Sequence, residues 1–289
     1  MSIDADTGAE SSRHSSAAVT LGPGSSKIYI GTSGYSYRDW VGHFYPEGTK
    51  PQQMLAYYAE QFPFAEINST YYRPPTPAML SAMAKKTPSE FLFAVKAYKS
   101  LTHERSKNVA EDCWQFLQAL QPMVEAGKLA AVLLQFPYSF HCTQENHEYL
   151  IQLHQHMPGL PIAVEFRNRN WVNPRTWELL HKLGWAYTCV DEPQLKGLVQ
   201  PKIAVTAPIS YVRFHGRNAK QWWQHDQAYQ RYDYLYSEDE LRPWVTNIRA
   251  LAAQTKAVYV AFNNHYQGQA VRNAKMLREL LAQAADATE

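Results

Sequence analysis

The sequence predicts a single α/β domain folded as a closed (β/α)8 barrel, the TIM-barrel fold, on three observations. The chain has 289 residues, which is about the length of one such barrel. Eight short apolar segments recur along it, and helical patterns separate most of them, as expected for a parallel sheet covered by helices. Polar and charged residues concentrate at the C-terminal ends of these segments, where barrel enzymes place their active sites.

The eight apolar segments are the predicted barrel strands. In chain order they are Ile28–Thr32, Phe64–Asn68, Phe91–Ala97, Ala130–Phe136, Pro161–Phe166, Trp185–Asp191, Ile209–His215 and Ala257–Asn263. The turn after the first of them, Gly31-Thr32-Ser33-Gly34, lacks the third glycine of a dinucleotide-binding fingerprint. This disfavours an open doubly wound sheet, which is the alternative arrangement for alternating strands and helices.

Capping signals mark several of the predicted helices. One helix is expected from Asn173-Pro174 to Gly184, because an N-cap residue, a first-turn proline and a C-terminal glycine follow in that order. Ser237 and Glu240 form a capping box at the start of another. The remaining predicted helices cover residues 51–61, 111–126 and 269–284. Residues 1–26 are rich in Ser, Ala, Gly and Asp and are predicted to be a disordered tail, so the barrel domain is expected to span 27–289.

Composition limits the classes of function. With 28 basic and 26 acidic residues the formal net charge is +2, which excludes nucleic-acid binding by bulk charge but leaves a local basic patch open. No apolar stretch of about 18 residues exists, so no membrane span is expected. The N-terminus has no secretory signal pattern. Three widely spaced cysteines, Cys113, Cys142 and Cys189, favour a reducing compartment, the cytoplasm, over a disulfide framework.

Side-chain parity groups the polar residues at the strand ends. Alternate residues of a strand face opposite sides, so the polar residues of one strand end share a face, and we expect most of them around the barrel mouth. The candidate catalytic residues are Glu66, Lys96, Glu165, Arg213 and His215. The candidate substrate-binding residues at strand ends are Asn68, Gln135, Arg167, Asp191 and Asn263. Each carboxylate–guanidinium pair has an alternative role as a structural ion pair.

A series of short motifs resembles the YecE-like proteins, a family of unknown function. It begins with Gly31-Thr32-Ser33-Gly34-Tyr35-Ser36-Tyr37, Trp40 and Phe44-Tyr45-Pro46, and continues with Glu66-Ile67-Asn68-Ser69-Thr70-Tyr71-Tyr72, Phe93-Ala94-Val95-Lys96, Thr102-His103, Leu134-Gln135-Phe136-Pro137, Val164-Glu165-Phe166-Arg167-Asn168, Trp171, Val212-Arg213-Phe214-His215-Gly216, Tyr234-Leu235-Tyr236-Ser237 and Phe262-Asn263-Asn264-His265. The motifs occur in order from about residue 28 to 280. The resemblance implies a TIM barrel and does not imply a reaction.

The strand-end residues suit an enzyme that acts on a small anionic substrate, for example a phosphorylated one. Arg213, Lys96 and Arg167 would hold the anion, since guanidinium groups bind oxyanions in a bidentate manner. Glu66 or Glu165 would act as general base and His215 as acid or base. Tyr35, Tyr37, Trp40 and Tyr71 are expected to contribute specificity. Glycoside hydrolysis is a weaker option, because nearby cations would keep both carboxylates ionised.

Two alternatives stay open. Glu165, Asp191, His215 and Asn263 end the predicted fifth to eighth strands, an order similar to the metal ligands of sugar isomerase and endonuclease barrels, but Asn263 replaces a carboxylate. The aromatic segment 217–236, which includes Trp222, Trp223 and Arg231, would stack bases or sugar rings in a binding module, or else cover the mouth as a lid. The sequence identifies no cofactor and no oligomeric state.

Overall fold

Eight parallel strands close into a barrel in the computed structural model, which describes residues 17–20 and 26–286. The barrel strands are paired in chain order, and the first pairs with the last to close the ring. They are β2 (Lys27–Ser33), β3 (Phe64–Ile67), β4 (Leu92–Lys96), β5 (Leu129–Gln135), β6 (Ile162–Glu165), β7 (Ala186–Asp191), β8 (Ile209–Phe214) and β9 (Ala257–Phe262). The predicted (β/α)8 fold class and all eight predicted strands are thereby confirmed.

The predicted tail lies mostly outside the described residues. Within the part of it that the structure describes, β1 (Val19–Thr20) pairs antiparallel with β2, Val19 opposite Ile28. The two residues add a short ninth strand beside the barrel rather than a disordered segment. The boundary of the tail elsewhere in residues 1–26 stays a prediction.

Helices follow every barrel strand except one. They are α1 (Pro51–Gln61), α2 (Ser69–Tyr72), α3 (Pro77–Lys85), α4 (Val109–Glu125), α5 (Gln144–His156), α6 (Pro174–Leu183), α7 (Glu238–Ala252) and α8 (Gln269–Asp286). The exception is the connection between β7 and β8, where residues 192–208 contain no helix. A π-helical turn, Ser100–Glu104, precedes α4. No helix in the described part of the chain is long and apolar enough to cross a membrane.

The capping signals act as the sequence predicts. The Asn173 side chain accepts a hydrogen bond from the Thr176 amide at 3.0 Å, and α6 ends at Gly184 with φ of 67°. Ser237 and Glu240 form the capping box of α7. Gly31, in β2, leaves no room for a side chain, because a Cβ there would lie 2.0 Å from the Phe64 carbonyl oxygen. The absence of a side chain at Gly31 therefore allows β2 to approach β3 closely.

The barrel interior is filled from the N-terminal end by aromatic rings and alanines. Tyr29 stacks on Tyr259 at 5.2 Å between ring centroids, Phe64 contacts Tyr259 at 5.4 Å, and Tyr211 lies beside both. The four rings come one each from β2, β3, β8 and β9, which are neighbours in the closed sheet. They form a solid floor, so the space for polar groups lies at the C-terminal ends of the strands.

Candidate functional site

The inward-facing positions directly above the aromatic floor carry charge. Glu66 on β3, Glu165 on β6 and Arg213 on β8 all point toward the barrel axis, and none is more than 1% exposed. Burial of an unpaired charge is costly, so side chains in this layer must pair with one another. The three residues, which parity groups with the polar strand-end set, lie together inside the barrel.

Arg213 lies at the centre of the layer and bridges the two carboxylates. Its Nη1 donates to Glu165 Oε2 at 2.7 Å and its Nη2 donates to Glu66 Oε1 at 2.6 Å. Ser33 Oγ accepts a further bond from Nη2 at 2.8 Å and also bonds Glu66. The other oxygen of Glu66, Oε2, accepts a hydrogen bond from the Tyr211 hydroxyl at 2.9 Å. Both oxygens of the Glu66 carboxylate are therefore bonded without solvent, whereas the buried Arg213 Nε has no hydrogen-bond partner in the described part of the chain.

Glu165 has two further partners on its other oxygen. Arg167 Nε lies 2.6 Å and His215 Nε2 lies 3.2 Å from Glu165 Oε1. Burial alone would raise the pKa of Glu165, but the guanidinium groups of Arg167 and Arg213 hold it well below its ordinary value. Glu165 is consequently ionised and fully engaged, and it has no lone pair directed to solvent as a general base needs.

His215 is a neutral member of this layer. Burial, aided by the positive charge of Arg167, lowers the pKa of His215 to about 3. Asn263 Nδ2 lies 3.1 Å from His215 Nδ1, and an amide donor at that position leaves the proton on Nε2, which donates to Glu165. His215 and Asn263 thus orient Glu165 from a sealed position.

Glu192 joins the cluster and was not among the predicted site residues. Its Oε2 accepts from Arg167 Nη1 at 2.9 Å and its Oε1 accepts from the Val199 amide at 3.1 Å. Burial raises the pKa of Glu192 to about 8. With Glu192 protonated, two carboxylates, Glu66 and Glu165, face two guanidinium groups, and the cluster is neutral. The sequence did hold a signal for this residue. Glu192 directly follows Asp191, the last residue of β7, and alternate residues of a strand face opposite sides, so Glu192 faces the side that Asp191 does not.

Asp191 does not belong to the mouth, contrary to its prediction as a substrate-binding residue. It shares a face with Tyr187 and Cys189, and these two residues pack in the outer layer between barrel and helices. The Asp191 carboxylate accepts from Arg217 Nε at 2.8 Å and Nη2 at 2.7 Å, and from Trp244 Nε1 at 2.8 Å. It is therefore a structural ion pair beneath α7.

The predicted metal ligands do not converge. Asp191 faces away from the barrel axis, and Glu165 is already occupied by two guanidinium groups. Residues 17–20 and 26–286 contain no group of three or more His, Cys, Asp and Glu side chains placed to hold a metal ion. The metal-dependent alternative consequently loses its geometric basis.

A cavity of about 310 Å³ opens at the C-terminal ends of β4 to β6. Its cationic lining residues are Lys96, Arg167 and Arg231, and its lining includes no aspartate or glutamate. Lys96 Nζ donates to Gln135 Oε1 at 2.8 Å and lies 4.5 Å from the centre of the Tyr71 ring. The pKa of Lys96 is lowered to about 7, mainly by burial and secondly by the nearby positive charge of Arg213. Of the five candidate catalytic residues, Lys96 alone lines this cavity.

Aromatic side chains form the walls. The rings that line the cavity belong to Tyr71, Tyr72, Tyr138, Trp222, Trp223 and Tyr232. Trp222 is buried, and the guanidinium groups of Arg167 and Arg231 lie 5.7 and 5.4 Å from its ring centre. The aromatic segment 217–236 therefore folds over the mouth as a lid that also presents Arg231 to the cavity.

Some of the other predicted substrate-binding residues line the cavity and some do not. Tyr71, Gln135 and Arg167 line the cavity, as expected. Three others are not among its lining residues: the Tyr37 hydroxyl donates to the Ser33 carbonyl at 2.8 Å, Trp40 Nε1 donates to the His265 carbonyl at 2.6 Å, and the Tyr35 ring contacts Tyr58. Asn68 is the N-cap residue of α2, and its buried Oδ1 has no hydrogen-bond partner in the described part of the chain.

His103 and Arg231 are cavity residues that the strand-end pattern could not identify, because both lie outside the strands. His103 lies on the π-helical turn, its Nδ1 is 2.9 Å from Thr102 Oγ1, and its ring contacts Tyr71 edge-on. Burial and the charge of Lys96 lower the pKa of His103 to about 4, so its imidazole is neutral. The motif Thr102-His103 was the available signal.

Comparison with known proteins gives one family. The model of the family described as "Protein of unknown function DUF72" matches residues 29–289, and the YecE-like resemblance refers to this same family. UPF0759 protein YunF of Bacillus subtilis is 36% identical over 269 residues, which cover 88% of this chain and 94% of that protein.

Two solved structures of relatives support the fold. A DUF72 family protein from Thermotoga maritima is 40% identical with a TM-score of 0.82, covering 88% of this chain and 99% of that one. A DUF72 family protein from Enterococcus faecalis is 30% identical with a TM-score of 0.78, covering 88% and 95%.

Proposed function

This chain belongs to the DUF72 family, whose function is unknown, and we propose that it binds a small organic anion, such as a phosphorylated compound, and acts on it by acid–base chemistry. The site is the cavity at the barrel mouth. One observation carries the proposal: the cavity is lined by three cationic side chains and by no carboxylate.

The cations differ in how far they are already neutralised. Arg167 is paired with the ionised Glu165 and donates a hydrogen bond to Glu192, whereas Lys96 and Arg231 form no ion pair with the residues that the structure describes. Two positive groups beside a partly enclosed, aromatic-walled space favour a ligand with at least one negative charge. Phosphate suits the mixture, because arginine offers a planar fork and lysine a point charge.

Lys96 is the acid–base group that the geometry supports best. Glu66, Glu165 and His215, the other candidates, are buried and bonded to one another, so a ligand in the cavity does not reach their proton-carrying atoms. Lys96 lines the cavity, and its Nζ donates to one protein acceptor, Gln135 Oε1. Its pKa of about 7 lets the amine both release and accept a proton near neutral pH.

Calorimetric titration with glycerol 3-phosphate tests the proposal. Arg231→Met removes an unpaired cation, and the loss of about 1.5–3 kcal/mol for a charged hydrogen bond predicts affinity weaker by about 10- to 100-fold. Arg242→Met is the matched control, since Arg242 is 57% exposed on α7 and pairs only along its own helix. Equal affinity of both variants and wild type, or no binding at all, would contradict the proposal.

A binding module for nucleic acid or sugar is the second candidate. Tyr72 and Trp223 line the rim of the cavity and are 76% and 50% exposed, which leaves ring faces free for stacking. Arg231 would add a phosphate contact. A gel-shift titration with single-stranded oligonucleotides at low and high salt tests it, and absence of a shift at low salt would remove nucleic acid.

A further inference from the structure

We propose that Lys96 is a nucleophile that forms an imine with the carbonyl group of a phosphorylated aldehyde or ketone bound in the cavity. The inference rests on the proposed anion-binding function and names a substrate class for the same site. Lysine side chains that form imines must present an uncharged amine to an enclosed space beside the group that holds the substrate.

Lys96 has the position that such a lysine needs. It ends β4 on the inner face of the barrel, and its Nζ bonds one protein acceptor, Gln135 Oε1. Gln135 is itself fixed, because its Nε2 donates to the Phe136 carbonyl at 2.8 Å. The amide therefore holds the amine in place and leaves its other valences directed to the cavity.

A second buried lysine shows what a structural role looks like in this chain. Lys128 Nζ donates to the Ala84 carbonyl at 2.7 Å, the Thr87 carbonyl at 2.7 Å and Thr87 Oγ1 at 2.9 Å, which uses all three of its protons. Lys96 has no comparable set of acceptors. Lys96 is half-buried and has one amide acceptor and the face of Tyr71 in place of three acceptors, so protein contacts account for less of its polar surface than they do for Lys128, which favours a ligand-directed role.

The surroundings of Lys96 favour the free amine. Burial and the positive charge of Arg213 and Arg167 act in the same direction on its pKa, and together they bring it to about 7. A far larger share of the side chains is then uncharged near neutral pH than for an exposed lysine, whose pKa of about 10.4 keeps it almost wholly protonated. The uncharged amine is the form that attacks a carbonyl.

The step balances without any further reactant. The Nζ lone pair attacks the carbonyl carbon, the carbonyl π pair moves to oxygen, and transfer of a proton from nitrogen gives a carbinolamine. The carbon–oxygen bond then breaks, and the oxygen leaves as water with the second nitrogen proton, which yields the imine. Arg167 and Arg231 would hold the phosphate during these steps, beside the aromatic side chains that segment 217–236 contributes to the cavity wall.

Borohydride trapping tests the inference. Wild-type protein is incubated with dihydroxyacetone phosphate, reduced with sodium borohydride, and examined by intact mass and by peptide mapping. We expect one covalent adduct per chain, on Lys96. Lys96→Arg keeps the positive charge but has no nucleophilic amine and should lose the adduct. Lys99→Arg, a partly exposed neighbour paired with Glu104 at 2.6 Å, should retain it.

The peptide map of the wild-type protein decides the site even if a variant fails to fold. No adduct, or an adduct spread evenly over exposed lysines, overturns imine formation. Glycerol 3-phosphate has the same phosphate without a carbonyl and separates the two proposals. If glycerol 3-phosphate binds but dihydroxyacetone phosphate gives no adduct on Lys96, the anion site stands and imine formation is overturned. If glycerol 3-phosphate does not bind and dihydroxyacetone phosphate gives no adduct, both proposals are overturned.

Discussion

Substitution of Arg213 by methionine tests whether the buried charge cluster holds the barrel together. Methionine has a similar length but no donors, so the change removes the bonds from Arg213 to Glu165, Glu66 and Ser33, of 2.7, 2.6 and 2.8 Å. Glu165 keeps the ion pair with Arg167. Glu66 keeps only hydroxyl donors, those of Ser33 and Tyr211, and no cation.

The magnitude follows from that difference between the two carboxylates. Removal of one partner from a buried ion pair costs about 3–5 kcal/mol, since the remaining charge is left without compensation. Arg213→Met should therefore reduce the free energy of unfolding by about that amount. The double variant Arg213→Met/Glu66→Gln removes one charge of each sign, and it should recover about 2 kcal/mol or more, because Ser33 and Tyr211 can still bond the amide.

Urea denaturation at pH 7, followed by tryptophan fluorescence, gives the three free energies of unfolding. The reasoning predicts a single variant less stable than the double variant. A loss below about 1 kcal/mol for Arg213→Met would show that the cluster is not important for stability. A double variant at least as unstable as the single one would show that the cost does not come from an uncompensated Glu66.

Three further predictions concern residues around this cluster. Glu192→Gln loses one of the two acceptor oxygens that face Arg167 and the Val199 amide, but its folding no longer requires protonation of the side chain. It should therefore be at most about 1 kcal/mol less stable than wild type at pH 7. The folded pKa of Glu192, about 8, exceeds its ordinary 4.5, so wild-type stability should fall relative to this variant as pH rises between those values in urea titrations. Glycerol 3-phosphate affinity should fall from pH 7 to 9 as Lys96 loses its charge, and calorimetry on Lys96→Arg should show no such fall. Asp191→Asn should lower the free energy of unfolding by about 1–3 kcal/mol, because it weakens the pair with Arg217. The affinity for glycerol 3-phosphate measured by calorimetry should not change, since Asp191 faces the helix layer. Weaker binding would contradict that placement.

The fold was largely predictable, because its signals are local. Apolar runs marked every barrel strand, and cap residues marked both ends of α6. Three helices were not predicted: α2 is a single turn, α3 has few polar residues to define an outer face, and α5 is so polar that its apolar face is narrow. The helix-free connection from residue 192 to 208 was also unexpected, since strand alternation suggests a helix at each step.

The site was only partly predictable, because parity shows which residues share a face and not which face is inward. Tyr187, Cys189 and Asp191 look like an inner row, yet Ala186 and Thr188 on the same strand occupy that side. The pairing of Glu66, Glu165 and Arg213 depends on the barrel bringing together strands that are distant in sequence. Arg231 reaches the cavity from a lid whose path no periodicity describes.

The buried cluster and the open cavity have complementary charge. In the cluster, two ionised carboxylates face two guanidinium groups and their charges balance, so little net charge remains below the cavity floor. The positive groups that remain unpaired, Lys96 and Arg231, both face the cavity. A bound anion would supply the missing partner. A carbonyl on that same ligand would lie against the one amine that the cluster's guanidinium groups help to keep uncharged. The guanidinium groups of the cluster would thus favour the nucleophilicity of Lys96, while Arg231 would supply the unpaired positive charge that binds the anion.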